Sequence, residues 1–131
     1  MVATITFNNS QTEPSTHPLY VGGYMQTGQF TVSGALMSVS AVGYGTWGGD
    51  AEGMEMSLVF WVGMADKPES EWNRFEASPK LVKTPGKASI SAAAIMQASG
   101  AHGYRVWCDA KKGQLDPKED AIKLFATPVV Q

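Results

Sequence analysis

Residues 28–47, GQFTVSGALMSVSAVGYGTW, and residues 86–107, GKASISAAAIMQASGAHGYRVW, decide the fold because they align with each other. One-residue insertions near Ala93 and Gly100 bring the two segments into register. The identical pairs are then Gly28/Gly86, Ser33/Ser91, Ala35/Ala94, Met37/Met96, Ser40/Ser99, Ala41/Ala101, Gly43/Gly103, Tyr44/Tyr104 and Trp47/Trp107. A shared Gly-Tyr-x-x-Trp favours a tandem duplication over chance, because these aromatic residues are rare and keep their order.

The alignment settles an ambiguity about secondary structure. Read alone, residues 87–98 favour a helix, since alanine, methionine and glutamine are helix formers. Their counterpart at residues 30–34 alternates and is β-branched, which indicates a strand. Because two copies of one unit should share a fold, we expect strands in both. The insertions then correspond to β-bulges or longer bends.

Alternation is clearest in residues 54–62. One face carries Met54, Met56, Leu58, Phe60 and Val62, and the other Glu55, Ser57, Val59 and Trp61. The later copy offers Ile122, Leu124 and Ala126 on the equivalent face. With frequent glycine and proline turns, this pattern predicts an all-β chain of about eight or nine strands, folded as an antiparallel sandwich or a closed barrel.

The chain length suits a single domain. Within the 131 residues, the repeat predicts a first half at 1–64 and a second half at 74–131, joined by a linker at 65–73. Each half is expected to contribute about four strands. The linker, ADKPESEWN, allows one helical turn after Pro68, and we expect Trp72 to anchor it to the strands.

Composition excludes several classes of protein. The hydrophobic fraction of 44% argues against intrinsic disorder, and the net charge of -2 argues against nucleic-acid binding. A single cysteine, Cys108, cannot form an intramolecular disulfide. No apolar run approaches the ~18 residues of a membrane span. The first residues resemble no signal peptide, so the sequence predicts cytoplasmic synthesis, with later release left open.

Charge is unevenly distributed along the chain. Residues 1–49 contain one charged side chain, Glu13, and residues 88–104 contain none. Uncharged strands either form a plain Ser/Thr-rich surface, face another protein layer, or bind something neutral. The pattern therefore permits a homo-oligomer interface or a surface for uncharged ligands.

No arrangement typical of an enzyme or a cofactor site is found. His17, His102 and Cys108 match no nucleophile or metal motif. The acidic groups Glu52/Glu55 and Asp116/Glu119/Asp120 are more typical of solvated loops than of an acid–base pair. We therefore predict no catalytic residues, no metal site and no cofactor.

The repeated aromatic residues are the main candidates for binding. Each copy presents tyrosine, then tryptophan, then aspartate near a glycine turn, giving the ligand-binding sets Tyr44/Trp47/Asp50 and Tyr104/Trp107/Asp109. Aromatic faces stack on sugar rings and carboxylates accept hydroxyl protons. This predicts a lectin-like module with two quasi-equivalent sites for neutral glycans, its partner being a glycan or a cell-surface ligand, unless the tryptophans belong to the core.

Two other functions remain open from the sequence. A structural or self-assembling protein, such as a virion, appendage or inclusion component or a toxin subunit, would use the uncharged strands at residues 19–25 and 30–45 as subunit contacts. A small hydrolase would need a deep acidic cleft.

Overall fold

The computed structural model describes residues 4–33, 36–50, 52–97 and 100–129. Ten strands lie in these ranges: β1 (Thr4–His17), β2 (Tyr20–Ser33), β3 (Leu36–Trp47), β4 (Met54–Met64), β5 (Asn73–Glu76), β6 (Lys80–Val82), β7 (Gly86–Gln97), β8 (Gly100–Lys111), β9 (Gln114–Leu115) and β10 (Ile122–Pro128). A 3₁₀ turn at Glu69–Glu71 follows Pro68, as the linker sequence predicted. The sequence pattern missed the short strands β5 and β9. The aligned residues Ala35 and Ser99 lie outside the described ranges.

The strands form two antiparallel sheets packed as a β-sandwich. The larger sheet has the order β1-β2-β8-β4-β5, with β6 also paired to β4. The smaller sheet has the order β10-β3-β7, with β9 also paired to β3. The sheets do not close on each other. The all-β prediction is confirmed, and of its two architectures the barrel is wrong.

The alternation in β4 supplies the centre of the core, as predicted. Met54, Met56, Leu58, Phe60 and Val62 are all at most 1% exposed and pack in one cluster between the sheets. On β10, Ile122 is buried, and Leu124 and Ala126 pack against the same cluster. The period of two thus places one face of each strand in the core.

The ambiguous segment at residues 87–98 is described as far as residue 97, and there it is a strand. β7 pairs with β3 from Gly86 opposite Trp47 to Gln97 opposite Leu36. Each residue of this ladder has a cross-strand partner, so the helix propensity of the alanines is overridden by sheet pairing. The aligned copy predicted this outcome where local propensity did not.

The sheet order has a twofold pattern, but the aligned repeat does not follow the strand boundaries. Suppose that β2 corresponds to β7, β3 to β8 and β4 to β10. The pairing of β2 with β8 in the larger sheet is then equivalent to that of β7 with β3 in the smaller sheet. The pairing of β4 with β8 is likewise equivalent to that of β10 with β3. However, Met96 lies in β7, while its aligned partner Met37 lies in β3. The duplication remains a prediction.

The helical content of the described residues amounts to one turn of three residues, far too short to reach across a lipid bilayer.

Candidate functional site

The first predicted set, Tyr44/Trp47/Asp50, does not form a cluster of exposed groups. Trp47 belongs to the core with 4% exposure, and its buried Nε1 has no hydrogen-bond partner among the described residues. Tyr44 is half-buried on the outer face of the smaller sheet. Asp50 is exposed and accepts a hydrogen bond from the backbone N–H of Glu52 at 3.0 Å, so its carboxylate caps its own turn.

In the second set, Tyr104 is a core residue with a buried polar contact. It is 1% exposed, and its hydroxyl lies 2.8 Å from Ser10 Oγ and 3.1 Å from Gln26 Oε1. The ring lies across β2 at Gly28, where a Cβ atom would come within 2.7 Å of the hydroxyl. Desolvation by burial raises the pKa of this phenol above its ordinary value, while the Ser10 hydrogen bond opposes the shift.

The aligned residues of the two copies face opposite sides of their sheets. Tyr44 lies outside while Tyr104 lies in the core, and Trp47 lies in the core while Trp107 lies outside. The inward side chains are odd-numbered in β3 and even-numbered in β8, whereas each aligned pair joins two odd or two even numbers, so every such pair is divided between the two faces. The two copies therefore do not present equivalent surfaces, which the twin-site prediction requires.

Trp107 instead belongs to an aromatic cluster on the outer face of the larger sheet. Trp107, Trp61, Val59 and Met25 are buried together there, with Tyr20 packed against them. The Tyr20 ring centroid lies 5.0 Å from that of Trp107 and 5.3 Å from that of Trp61. His17 stacks on Trp61 with the ring centroids 5.6 Å apart. Asp109 is half-buried two residues beyond Trp107 on β8.

Two arginines flank Trp61 on this face. Cross-strand register places Arg74 of β5 and Arg105 of β8 directly opposite Trp61. Arg74 donates to the Tyr20 hydroxyl, which raises the pKa of the guanidinium, and its Cζ lies 5.7 Å from the Tyr20 ring centroid. These groups line an open groove of about 410 Å³, which we call the aromatic groove, formed by His17, Leu19, Tyr20, Trp61, Glu69, Ser70, Arg74 and Arg105.

Each arginine of the aromatic groove is balanced by a glutamate. Arg74 lies 3.1 Å from Glu76, and Arg105 Nε lies 2.8 Å from Glu69 Oε1, although that N–H is not aligned with the oxygen. The groove thus combines aromatic rings with charge-balanced donors and acceptors.

The end of the β1–β2 hairpin covers part of this cluster. The first residue of β2 paired to β8 is Tyr24, so the hairpin tip, residues 15–23, has its backbone pairing only within itself. The register slips between Pro14 and Thr16, opposite Gly22 and Gly23, which have φ of 90° and 70°. Glycine adopts this left-handed region readily, and the bulge turns the tip over the sheet.

The linker reaches the same face through Trp72. Its ring lies over Gly63 and Gly103, where a Cβ atom at Gly103 would come within 2.5 Å of the ring. Its Nε1 donates to the carbonyls of Met64 at 3.1 Å and Lys67 at 3.2 Å. As expected, Trp72 anchors the linker, and the 3₁₀ turn beside it brings Glu69 to Arg105.

The groups considered for catalysis lie in structural positions. Cys108 is fully buried, and burial raises the pKa of its thiol to about 12, so the reactive thiolate is disfavoured. His102 is 3% exposed and stacks on Phe30 with the ring centroids 5.1 Å apart. Asp116 accepts from Thr46 Oγ1 at 3.1 Å and lies 3.2 Å from Lys87 Nζ. Within the described ranges no three His, Cys, Asp or Glu residues lie close enough to share a metal ion.

The sequence pattern marked Trp107 as a candidate and placed Trp61 on the less apolar face of its strand, but it missed Tyr20, Arg74 and the role of His17. The one available signal was the outward-facing position of Trp61 on an otherwise apolar strand. Its partners come from residues 17–20, 69–74 and 105, and only the sheet order brings these segments together. No protein-family model matches the chain, and no curated protein is detectably similar to it.

Proposed function

We propose that the protein is a non-enzymatic, lectin-like module that binds a neutral glycan in the aromatic groove. The observation that carries the proposal is Trp61 held between Arg74 and Arg105, with Tyr20 and His17 beside it. The ligand class is the one predicted from the sequence, but the binding site is a different one. Of the six residues that the sequence predicted to bind the ligand, only Trp107 lies in the aromatic cluster beside the groove.

The chemistry of the groove suits a sugar. An aromatic ring stacks on the apolar C–H face of a pyranose, and hydroxyl groups need donors and acceptors at its rim. Arginine supplies donors and glutamate supplies acceptors, and each acts more strongly than a neutral partner. Because both arginines have acidic partners, the local charge is balanced. That balance favours a neutral glycan over an anionic one.

The first experiment is a glycan array with the purified chain, followed by calorimetric titration of any glycan retained. Trp61→Ala is expected to weaken binding about tenfold or more, because stacked aromatic contacts contribute about 1 kcal/mol beyond the area they bury. Phe125→Ala is the matched control, since Phe125 is 48% exposed on the other sheet. Binding that survives Trp61→Ala unchanged, or no glycan retained at all, would contradict the proposal.

Self-assembly is the second candidate, favoured by the outer face of the smaller sheet. Ile95 is 69% and Phe125 is 48% exposed there, and the outward positions of β7 and β10 hold only Lys87 and Lys123 as charged groups. Ile95 and Phe125 lie on the two strands beside β3, opposite Ser38 and Ser40, and an exposed face that carries large apolar side chains and little charge is typical of an interface. Sedimentation velocity tests this: we expect the chain to associate at high concentration, and Ile95→Ser with Phe125→Ser to return it to a monomer.

Assembly through this face is better supported than assembly through strand edges. β1 carries Pro14 and two register irregularities, and Lys80 Nζ donates to the Ser89 carbonyl of the edge strand β7 at 2.8 Å. On the other edge of that sheet, Gln26 Nε2 donates to the Ile122 carbonyl of β10 at 3.0 Å. Prolines, bulges and lysines are devices that prevent pairing between edges.

We also infer that the two halves arose by duplication, with the twin set of aromatic residues later divided between core and surface. The twofold pattern of sheet pairing supports this duplication. Because Tyr44 and Tyr104 lie on opposite faces of their sheets, the two halves do not carry the same binding surface. One functional groove per chain is then expected, and titration should give a stoichiometry near one.

A further inference from the structure

Trp61 and Trp107 are large aromatic residues on an outer sheet face, yet each is only 9% exposed. Among the residues that the structure describes, no second sheet covers this face. Their cover is the hairpin tip, residues 15–23, through His17 on Trp61 and Tyr20 on both tryptophans. Trp72 of the linker packs against the same cluster, and the hairpin tip supplies the aromatic contacts over Trp61 and Trp107 themselves.

The hairpin tip is attached in a way that permits it to lift. Its backbone pairs only within itself, and a two-stranded ribbon has little stability alone. The Gly22 carbonyl accepts a hydrogen bond from Trp107 Nε1 at 2.8 Å, which joins the backbone of the tip to the sheet face. The Tyr20 hydroxyl adds a contact with Arg74. Two other apolar side chains of the tip, Leu19 and Val21, are 79% and 75% exposed.

The base of the tip has the geometry of a hinge. Gly22 and Gly23 have positive φ, and they lie where the register with β1 slips. A Cβ atom at Gly22 would meet nothing within 4 Å, whereas one at Gly23 would collide with the Cys108 carbonyl. Alanine at position 22 would therefore change the preferred backbone conformation without a steric clash in the closed form.

We propose that Trp61 and Trp107 form a platform for a pyranose ring that is closed in the free protein by residues 15–23 and opened by rotation at Gly22–Gly23. This rests on the proposed glycan-binding function and extends its site beneath the tip. The two indoles occupy diagonal positions of β4 and β8, since Val59 is opposite Trp107 and Trp61 opposite Arg105. Diagonal neighbours lie about 7–8 Å apart, so both rings reach one extended ligand.

The hinge is tested without any sugar, by acrylamide quenching of tryptophan fluorescence in the full chain. Gly22→Ala disfavours the closed backbone, and an L-residue at this φ is expected to lower the closed-to-open ratio roughly tenfold. Gly48→Ala is the matched control, because Gly48 has no positive φ and no atom near its Cβ position. We expect greater quenching in Gly22→Ala alone, and loss of that increase when Trp61→Phe and Trp107→Phe are added.

Tyr20→Ala removes the cover while leaving the hinge intact, so it gives a second route to the same result if Gly22→Ala folds poorly. Circular dichroism confirms folding of each variant. Unchanged quenching in both folded variants would overturn the hinged platform, even if a glycan binds in the aromatic groove. Increased quenching with no glycan bound by any variant would support the hinge and overturn the proposed function. Increased quenching together with tighter glycan binding by Gly22→Ala would support both.

Discussion

Replacing Tyr104 by phenylalanine distinguishes a core role for this residue from a binding role. The substitution keeps the ring that lies over Gly28 and removes the hydroxyl beside Ser10 and Gln26. Gln26 is 8% exposed and its Nε2 still donates to Thr12 and to the Ile122 carbonyl, so its Oε1 is the atom left without its partner. Leaving a buried acceptor unpaired costs about 1–3 kcal/mol of unfolding free energy.

The assay is urea unfolding followed by circular dichroism, with Tyr44→Phe as the matched control. Tyr44 is the aligned tyrosine, half-buried on an outer face, and we expect its loss of a hydroxyl to change stability by less than about 0.5 kcal/mol. For a domain of this size, the Tyr104→Phe change corresponds to a melting temperature lower by about 3–10 °C. Equal losses in the two variants, or no loss in Tyr104→Phe, would refute this account of the core.

The same residue predicts a dependence on alkaline pH. Because burial raises the pKa of Tyr104, the folded state favours the neutral phenol over the phenolate. Its contribution to stability is fully present below the unfolded value of about 10 and is lost as the pH rises through the higher folded value. Tyr104→Phe should remove this part of the alkaline destabilisation. A ligand role would instead appear as weaker glycan binding with unchanged stability.

Three further predictions concern other parts of the molecule. The Cys108 thiol, with its pKa raised to about 12, should resist a thiol reagent at pH 8 until urea unfolds the chain. Above pH 9 the same shift should reduce stability by up to about 1.4 kcal/mol per pH unit, and Cys108→Ala should remove that slope. Gly103→Ala should cost about 1–3 kcal/mol in chemical denaturation because its Cβ would contact the Trp72 ring, whereas Gly48→Ala should be nearly neutral. Lys80→Thr should expose the β7 edge and increase association in sedimentation velocity relative to the unmodified chain, and an unchanged sedimentation coefficient would show that this lysine does not protect the edge.

The fold class could be read from local patterns because a half-buried strand records its environment with a period of two. The five inward residues of β4 were predicted from alternation alone, and all five lie in the core. Residues 87–97 show the limit of local reading, because their composition favours a helix and only the comparison with residues 30–34 indicated a strand. The short strands β5 and β9 escaped detection because two to four residues hold too little periodicity.

The groove could not be read in this way, since which face of a strand is open depends on what packs over it. The sequence marked Tyr104 and Trp107 as candidates together, but they are three residues apart on one strand and therefore lie on opposite faces. The site depends on Trp61 meeting residues 74 and 105 across the sheet and residues 17–20 from above it. Composition and alternation thus determine that this chain forms strands with one apolar face. Strand order and the bend at Gly22–Gly23, which are properties of long-range pairing, decide which aromatic residues share a surface.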